Sequence, residues 1–272
     1  MVSLMQQRSI TWRRLLNLHK KEFLTWLDNG KRFQIYNKLA DDLERYIAAT
    51  LTLHPYENSL STEDLCKQFA YCIPNVLTNC DDPRTYKQDM AALAYAHVHL
   101  LQRYRRFWDV LVCLLKGEIL PMSERGLEVL DIGTGPAPAL YATYDFYQAL
   151  QNFANEKGYS SLVTPLPNLS SVESSLNMAH FMHRFSEISE RTSGPYSPTF
   201  RDFDRLNFAE LRAKERWARI EREMDEQDTS EKYAKWFVSQ MFPTDHLYHY
   251  NLVILSNFLT EKSKVEGWRE VE

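Results

Sequence analysis

The chain of 272 residues has no run of about 18 consecutive apolar residues, so no membrane-spanning helix is expected. Met1 to Ile10 lack the apolar stretch that opens a secretory signal, and the expectation is an intracellular, reducing, cytoplasmic setting. Cysteine is scarce. Cys66, Cys72, Cys80 and Cys113 form no C-x-x-C pair and have no close histidine partner, which argues against a zinc site and for buried free thiols. Charge of one sign is not in excess either, the formal net charge being -4. Arg8 to Arg45 is mildly basic, Arg103, Arg105 and Arg106 form a second basic cluster, and the part after Pro121 is acidic. This falls well short of a dedicated nucleic-acid binder and reads as solvated helix faces. No internal repeat is evident. Against these absences stand 44% hydrophobic and 13% aromatic residues, enough for a sizeable core in one large domain or two small ones.

Apolar periodicity divides the chain in two. Residues 9 to about 54 read as helical, broken at Asn29-Gly30, with Ile35, Tyr36, Leu39, Leu43, Tyr46 and Ile47 on one side of the second half. Ser61 or Thr62 is placed to cap a further helix whose first turn holds Glu63 and Asp64. After the break at Asp81-Asp82-Pro83, one long helix is expected from about Tyr86 to Leu115. Strand signals begin only after Gly126, at Leu127 to Ile132. A helix from Pro138 to about Glu156, a weak strand at Leu169 to Val172, and a helix from Ser174 to Arg191 follow. Phe200 to Phe203 is a third strand candidate. Charged helices are expected at Leu206 to Asp228 and Ser230 to Met241, and Tyr250 to Ser256 is continuously apolar enough for a parallel strand covered on both faces. Alternating strand and helix imply an α/β fold with a parallel sheet. The boundary falls near Ser123, giving a helical cap or partner-binding region at 1–122 and a ligand-binding domain at 123–272, with a charged helical insert near 205–249.

The informative segment is Leu130-Asp131-Ile132-Gly133-Thr134-Gly135-Pro136-Ala137-Pro138, where a strand hands over to a helix. Gly133 and Gly135 supply positions where φ is positive or a side chain would block a ligand. Pro136 and Pro138 suit a helix's first turn, where the missing N–H is not needed. The turn therefore presents bare backbone and a helix N-terminus at the carboxyl edge of the sheet, the edge at which open α/β folds bind ligands. This segment resembles the first motif of the class I, Rossmann-like S-adenosylmethionine-dependent methyltransferases, acidic-x-Gly-x-Gly-x-Gly. Asp131, Gly133 and Gly135 match, Thr134 lies between the glycines, and Ala137 replaces the third glycine. The rival is a dinucleotide turn, G-x-G-x-x-G, but its third glycine would fall at Pro138. A glycine turn with no ligand is the remaining alternative.

The resemblance carries further expectations. It implies S-adenosylmethionine as cofactor, with the turn at its amino-acid part. An acid ending the second strand would take the ribose hydroxyls; Ser171-Val172-Glu173 fits, and a carboxylate accepts two hydrogen bonds well. The plain alternative is a surface glutamate at a helix start. Asp202 or Asp204 would stand near the adenine amino group, or serve only as a loop or helix-cap aspartate. Tyr250-Asn251-Leu252-Val253 resembles the family's fourth strand with Asn251 where aspartate is common, and Ser256 and Asn257 would reach the methyl-transfer end. Prolines after Asn257 are missing, which speaks against a base-amino acceptor. Tyr95, His97, His99 and Arg103 lie along the helix leading into the first motif and are assigned no role.

The family sheet has seven strands, and only four are readable here, so the sheet is expected to be incomplete at the C-terminus: a fragment, or a chain completed by a protein partner. The expected function is methyl transfer to an acceptor that is a small molecule, a protein or RNA, with no membrane partner, no metal and no assigned catalytic residue. The alternative is a non-catalytic methyltransferase-like interaction protein associated with RNA or the ribosome. The layout is similar to that of the ribosome-associated methyltransferase-like proteins of mitochondria, without their cysteine cluster.

Overall fold

A computed structural model describes residues 16–52, 60–78, 83–123, 126–159, 165–173, 175–189, 199–201 and 250–255. The first helix, α1, covers 16–26 and buries Leu16 and Phe23, two turns apart on one face. Asn29 (ψ 32) and Gly30 (φ 90) interrupt it in a π-turn at Leu27–Lys31, at the break expected from Asn29-Gly30. Helix α2 (Arg32–Thr52) then buries Leu39, Asp42, Leu43 and Tyr46, a stripe of one helical face. In α3 (Thr62–Thr78), Ser61 is the cap: its Oγ accepts the Asp64 N–H at 3.1 Å. A short 3-10 turn at Pro83–Lys87 leads to α4 (Ala91–Tyr95), a π-turn at Ala96–Leu100, and α5 (Leu101–Lys116).

The expected single helix from Tyr86 is therefore corrected. The α-helix starts only at Ala91, after the 3-10 turn, and a side chain from elsewhere in the chain sits on the carbonyls before it. The Asn177 side-chain amide donates to the carbonyls of Tyr86 (3.1 Å) and Gln88 (3.0 Å), groups that a continuous helix would engage itself.

Four parallel strands follow: β1 (Glu128–Ile132), β2 (Asn168–Val172), β3 (Thr199–Arg201) and β4 (Leu252–Ile254), in the spatial order β3-β2-β1-β4. Pairs Ile132↔Val172 and Asp131↔Ile254 fix the register of the central strand. Between them run α6 (Pro138–Lys157) and α7 (Leu176–Ile188), and the chain is α/β with a helical N-terminal region. Asp202, Phe203, Asp204, Ser256, Asn257, Cys80 and the charged insert at 205–249 lie outside the described residues.

Helix α6 is the axis of the molecule. It is buried nearly throughout, from Pro138 to Ala154, because the sheet lies on one side and the N-terminal helices on the other. Phe23 stacks edge-on against Phe146 (5.8 Å between centroids), and Trp108 against Phe146 (5.3 Å). The Tyr104 hydroxyl donates to the buried Asp145 carboxylate at 2.9 Å, tying α5 to α6. The boundary read near Ser123 falls in the connection between α5 and β1, yet one hydrophobic core runs across it from Leu16 to Ile254.

Two further expectations are corrected. Of the cysteines, Cys72 is buried, but Cys66 and Cys113 are exposed, since they occupy outward positions of α3 and α5. In β4, Ile254 is buried but Val253 is 40% exposed, so the described strand is covered on one face only: it lies at the edge of the described sheet. No described helix is long and apolar enough to cross a membrane.

Candidate functional site

The strand order sets the location. From β1 the chain steps outward to β2 and β3, then crosses back to place β4 on the other side of β1. Connections reverse direction at β1, and the crevice beyond the carboxyl ends of such strands is where open α/β sheets receive ligands. The Gly133–Ala137 turn lies at this point. Its φ angles are +69° at Gly133, +58° at Gly135 and +63° at Ala137. The first two are conformations that glycine adopts freely; the third is unusual for alanine. The Thr134 hydroxyl donates to the Asp131 carbonyl (2.8 Å), and the Ala137 N–H donates to the Thr134 carbonyl (3.1 Å). Ala137 then starts α6, with Pro138 in the first turn. Asp131 is fully buried beneath this turn, and Thr134 is buried as well.

Because Ile132 pairs with Val172, the next residues of the two strands, Gly133 and Glu173, emerge side by side. Glu173 Oε2 accepts the Gly135 N–H at 2.6 Å, and Oε1 accepts the Ser175 N–H at 2.8 Å. Ser175 caps α7, its Oγ accepting from the Met178 N–H. One carboxylate therefore bridges the approaches to the N-termini of α6 and α7, where the partial positive charge of each helix favours an anion.

The helical region closes over this turn. A Cβ placed on Gly135 would stand 3.8 Å from Cε1 of Tyr95, so that ring faces the turn and would touch a side chain added there. Tyr95 is 6% exposed and held on several sides. His99 lies tilted against it at 4.7 Å, Tyr86 meets it edge-on at 5.7 Å, and the Arg103 guanidinium lies 5.0 Å from the ring centre. The Tyr86 carbonyl is in turn bonded by Asn177 near the start of α7.

Of the expected cofactor-binding residues, Asp131, Gly133, Thr134, Gly135 and Glu173 come together here, while Asp202 and Ser256 lie outside the described residues. Asn251 sits at the opposite end of the sheet. Its Oδ1 accepts the Glu128 N–H (2.9 Å), and its N–H donates to the Glu128 carbonyl (2.8 Å), so it anchors the start of β4. Tyr86, Ser175 and Asn177 carry no motif, and the role of Tyr95 depends on how its helix packs. No group of three or more metal-ligating side chains occurs among the described residues. Comparison with protein-family profiles, with curated proteins and with solved structures finds no match to this chain.

Proposed function

We propose that this chain is a Rossmann-like methyltransferase that binds S-adenosylmethionine across the carboxyl ends of β1 and β2. The observation that carries this reading is the contact between Glu173 and the glycine turn: an acid at the end of β2, in position for ribose hydroxyls, touches the bare backbone that follows β1. Supporting it, β3-β2-β1-β4 reproduces the first four positions of the doubly wound order 3-2-1-4-5-6. The dinucleotide alternative fits less well, because Pro138 occupies the place of its third glycine and opens α6.

The residues fit the cofactor in kind. The glycine turn offers bare backbone to the amino-acid part, Glu173 has acceptor capacity for a diol beyond the Gly135 N–H it already engages, and the buried Asp131 carboxyl lies beneath the turn. When bound, the cofactor supplies an electrophilic methyl group for in-line displacement. The chain's part is to hold the nucleoside still and to exclude water, so that orientation supplies most of the rate. The acceptor is a small molecule, a protein or RNA.

Calorimetric titration of the full chain with S-adenosylhomocysteine tests this. Wild type is expected to bind, and Glu173→Ala to bind at least about tenfold more weakly, since hydrogen bonds to a charged carboxylate are each worth ~1.5–3 kcal/mol. A folded wild type that does not bind overturns the reading. That result would support a non-catalytic interaction protein, which one observation favours: both Glu173 oxygens already have backbone donors without a ligand.

A further inference from the structure

We propose that Tyr95, in the helical region, is a positioning residue for the glycine turn and, through it, for the bound nucleoside. This rests on the cofactor reading above and adds to it a contribution from outside the β/α motifs.

The argument starts from what holds the turn. Three residues within five have positive φ, one of them an alanine, so the turn depends on its contacts to keep that shape. From the β2 side it is held by the Glu173 carboxylate on the Gly135 N–H. From the helical side it is faced by the ring of Tyr95. A nucleoside whose hydroxyls engage Glu173 shares that carboxylate with the Gly135 N–H, since each carboxylate oxygen accepts more than one hydrogen bond, so the β2-side hold on the turn then also serves the ligand. The Tyr95 ring is the side chain that faces Gly135 from the helical region, its Cε1 3.8 Å from where a Cβ on that glycine would stand. The ring is suited to the task. It is planar, it has His99, Tyr86 and Arg103 around it, and its helix begins with Ala91 to Ala94, all buried.

The consequence is specific. Loss of the flat ring weakens nucleoside binding, while loss of the hydroxyl alone does not. In calorimetric titration with S-adenosylhomocysteine, Tyr95→Phe is expected within twofold of wild type and Tyr95→Leu about tenfold weaker. Phe153→Leu is a matched control, a fully buried ring near the far end of α6; it is expected to lower Tm without changing Kd at temperatures well below Tm. Arg103→Ala removes the cation over the ring without opening the core, and is expected to weaken binding about threefold. That second variant keeps the test decisive if Tyr95→Leu does not fold. The proposal is overturned if wild type binds and folded Tyr95→Leu, or Arg103→Ala where Tyr95→Leu does not fold, binds within twofold of it. A wild type that does not bind is a different result, seen before any substitution is made, and it removes the cofactor reading itself.

Discussion

His99 shows how a single side chain ties this fold to pH. Its ring lies against Tyr95, and burial first, then the guanidiniums of Arg103 and Arg106, hold its pKa below the ordinary imidazole value; only a backbone hydrogen bond at Val76 opposes them. In the unfolded chain the same ring titrates near about 6.5. Between the folded and unfolded values the unfolded state therefore binds more protons, so stability rises with pH in that window. The contribution is complete above the unfolded value and is lost as pH falls through it towards the folded one. Urea denaturation is expected to show unfolding free energy declining from pH 7.5 to 5, with His99→Phe declining less. Glu22, Glu156 and Asp64 also have lowered values, through hydrogen bonds from Tyr159, Trp26 and Ser61 respectively, but as carboxylates they act in a more acidic window. An equal decline in wild type and His99→Phe between pH 7.5 and 5 would remove His99 from the account. The residue scale also shows which roles a sequence can reveal. Glu173 was legible because strand pairing alone sets an acid after β2 beside the glycines after β1. Tyr95 was visible as a residue, but its place facing the glycine turn arises from the packing of a helix about 40 positions upstream.

Among the elements, α6 was the most legible, since both its ends are written in local chemistry. Pro138 opens it, and Gly158 closes it at φ +71°. The Tyr159 N–H returns to the Ala154 carbonyl at 2.8 Å and the Gly158 N–H reaches the Asn155 carbonyl, the paired bonds of a glycine-terminated helix. A Cβ on Gly158 would meet nothing within 4 Å, so the cost of adding one is conformational and not steric. Gly158→Ala is therefore expected to lower stability by about 1 kcal/mol, with no change in cofactor affinity. A loss well below this in chemical denaturation would mean that α6 ends in some other way in solution. The segment from Tyr86 to Met90 was not legible, and the contrast is instructive. Its apolar and polar spacing continues the helix that follows, but the Asn177 amide donates to two of its carbonyls, Tyr86 and Gln88, from across the fold. Apolar periodicity reports which face is buried; it does not report a distant side chain competing for backbone. The same holds for β4, where Leu252 to Leu255 reads as a strand covered on both faces, whereas its place at the edge of the described sheet leaves Val253 exposed.

For the molecule as a whole, the question is whether the helical region and the sheet fold as one body. Composition and periodicity suggested two parts meeting near Ser123, and the elements do change type there. The core does not divide with them. Trp108 and Tyr104 of α5 reach into α6, and Phe23 of α1 packs against Phe146 and Phe153 of the same helix. Trp26 donates to Glu156 at 2.7 Å, and Tyr159 to Glu22 at 3.0 Å, fastening α1 to the far end of α6. Without the N-terminal helices, one whole side of α6 would be opened to water, with Phe146, Leu150 and Phe153 among its buried residues. At about 1.5–3 kcal/mol for each large apolar side chain, exposing only a few of them would consume much of a domain's net stability of roughly 5–15 kcal/mol. The two parts should therefore unfold together. Native-state hydrogen exchange followed by mass spectrometry is expected to give α5, α6 and β1 a common opening free energy, with slopes against denaturant that merge into one. If α2 to α5 stay protected after β1 has opened, the helical region is an independent unit, and its hold on the glycine turn through Tyr95 becomes a contact between domains.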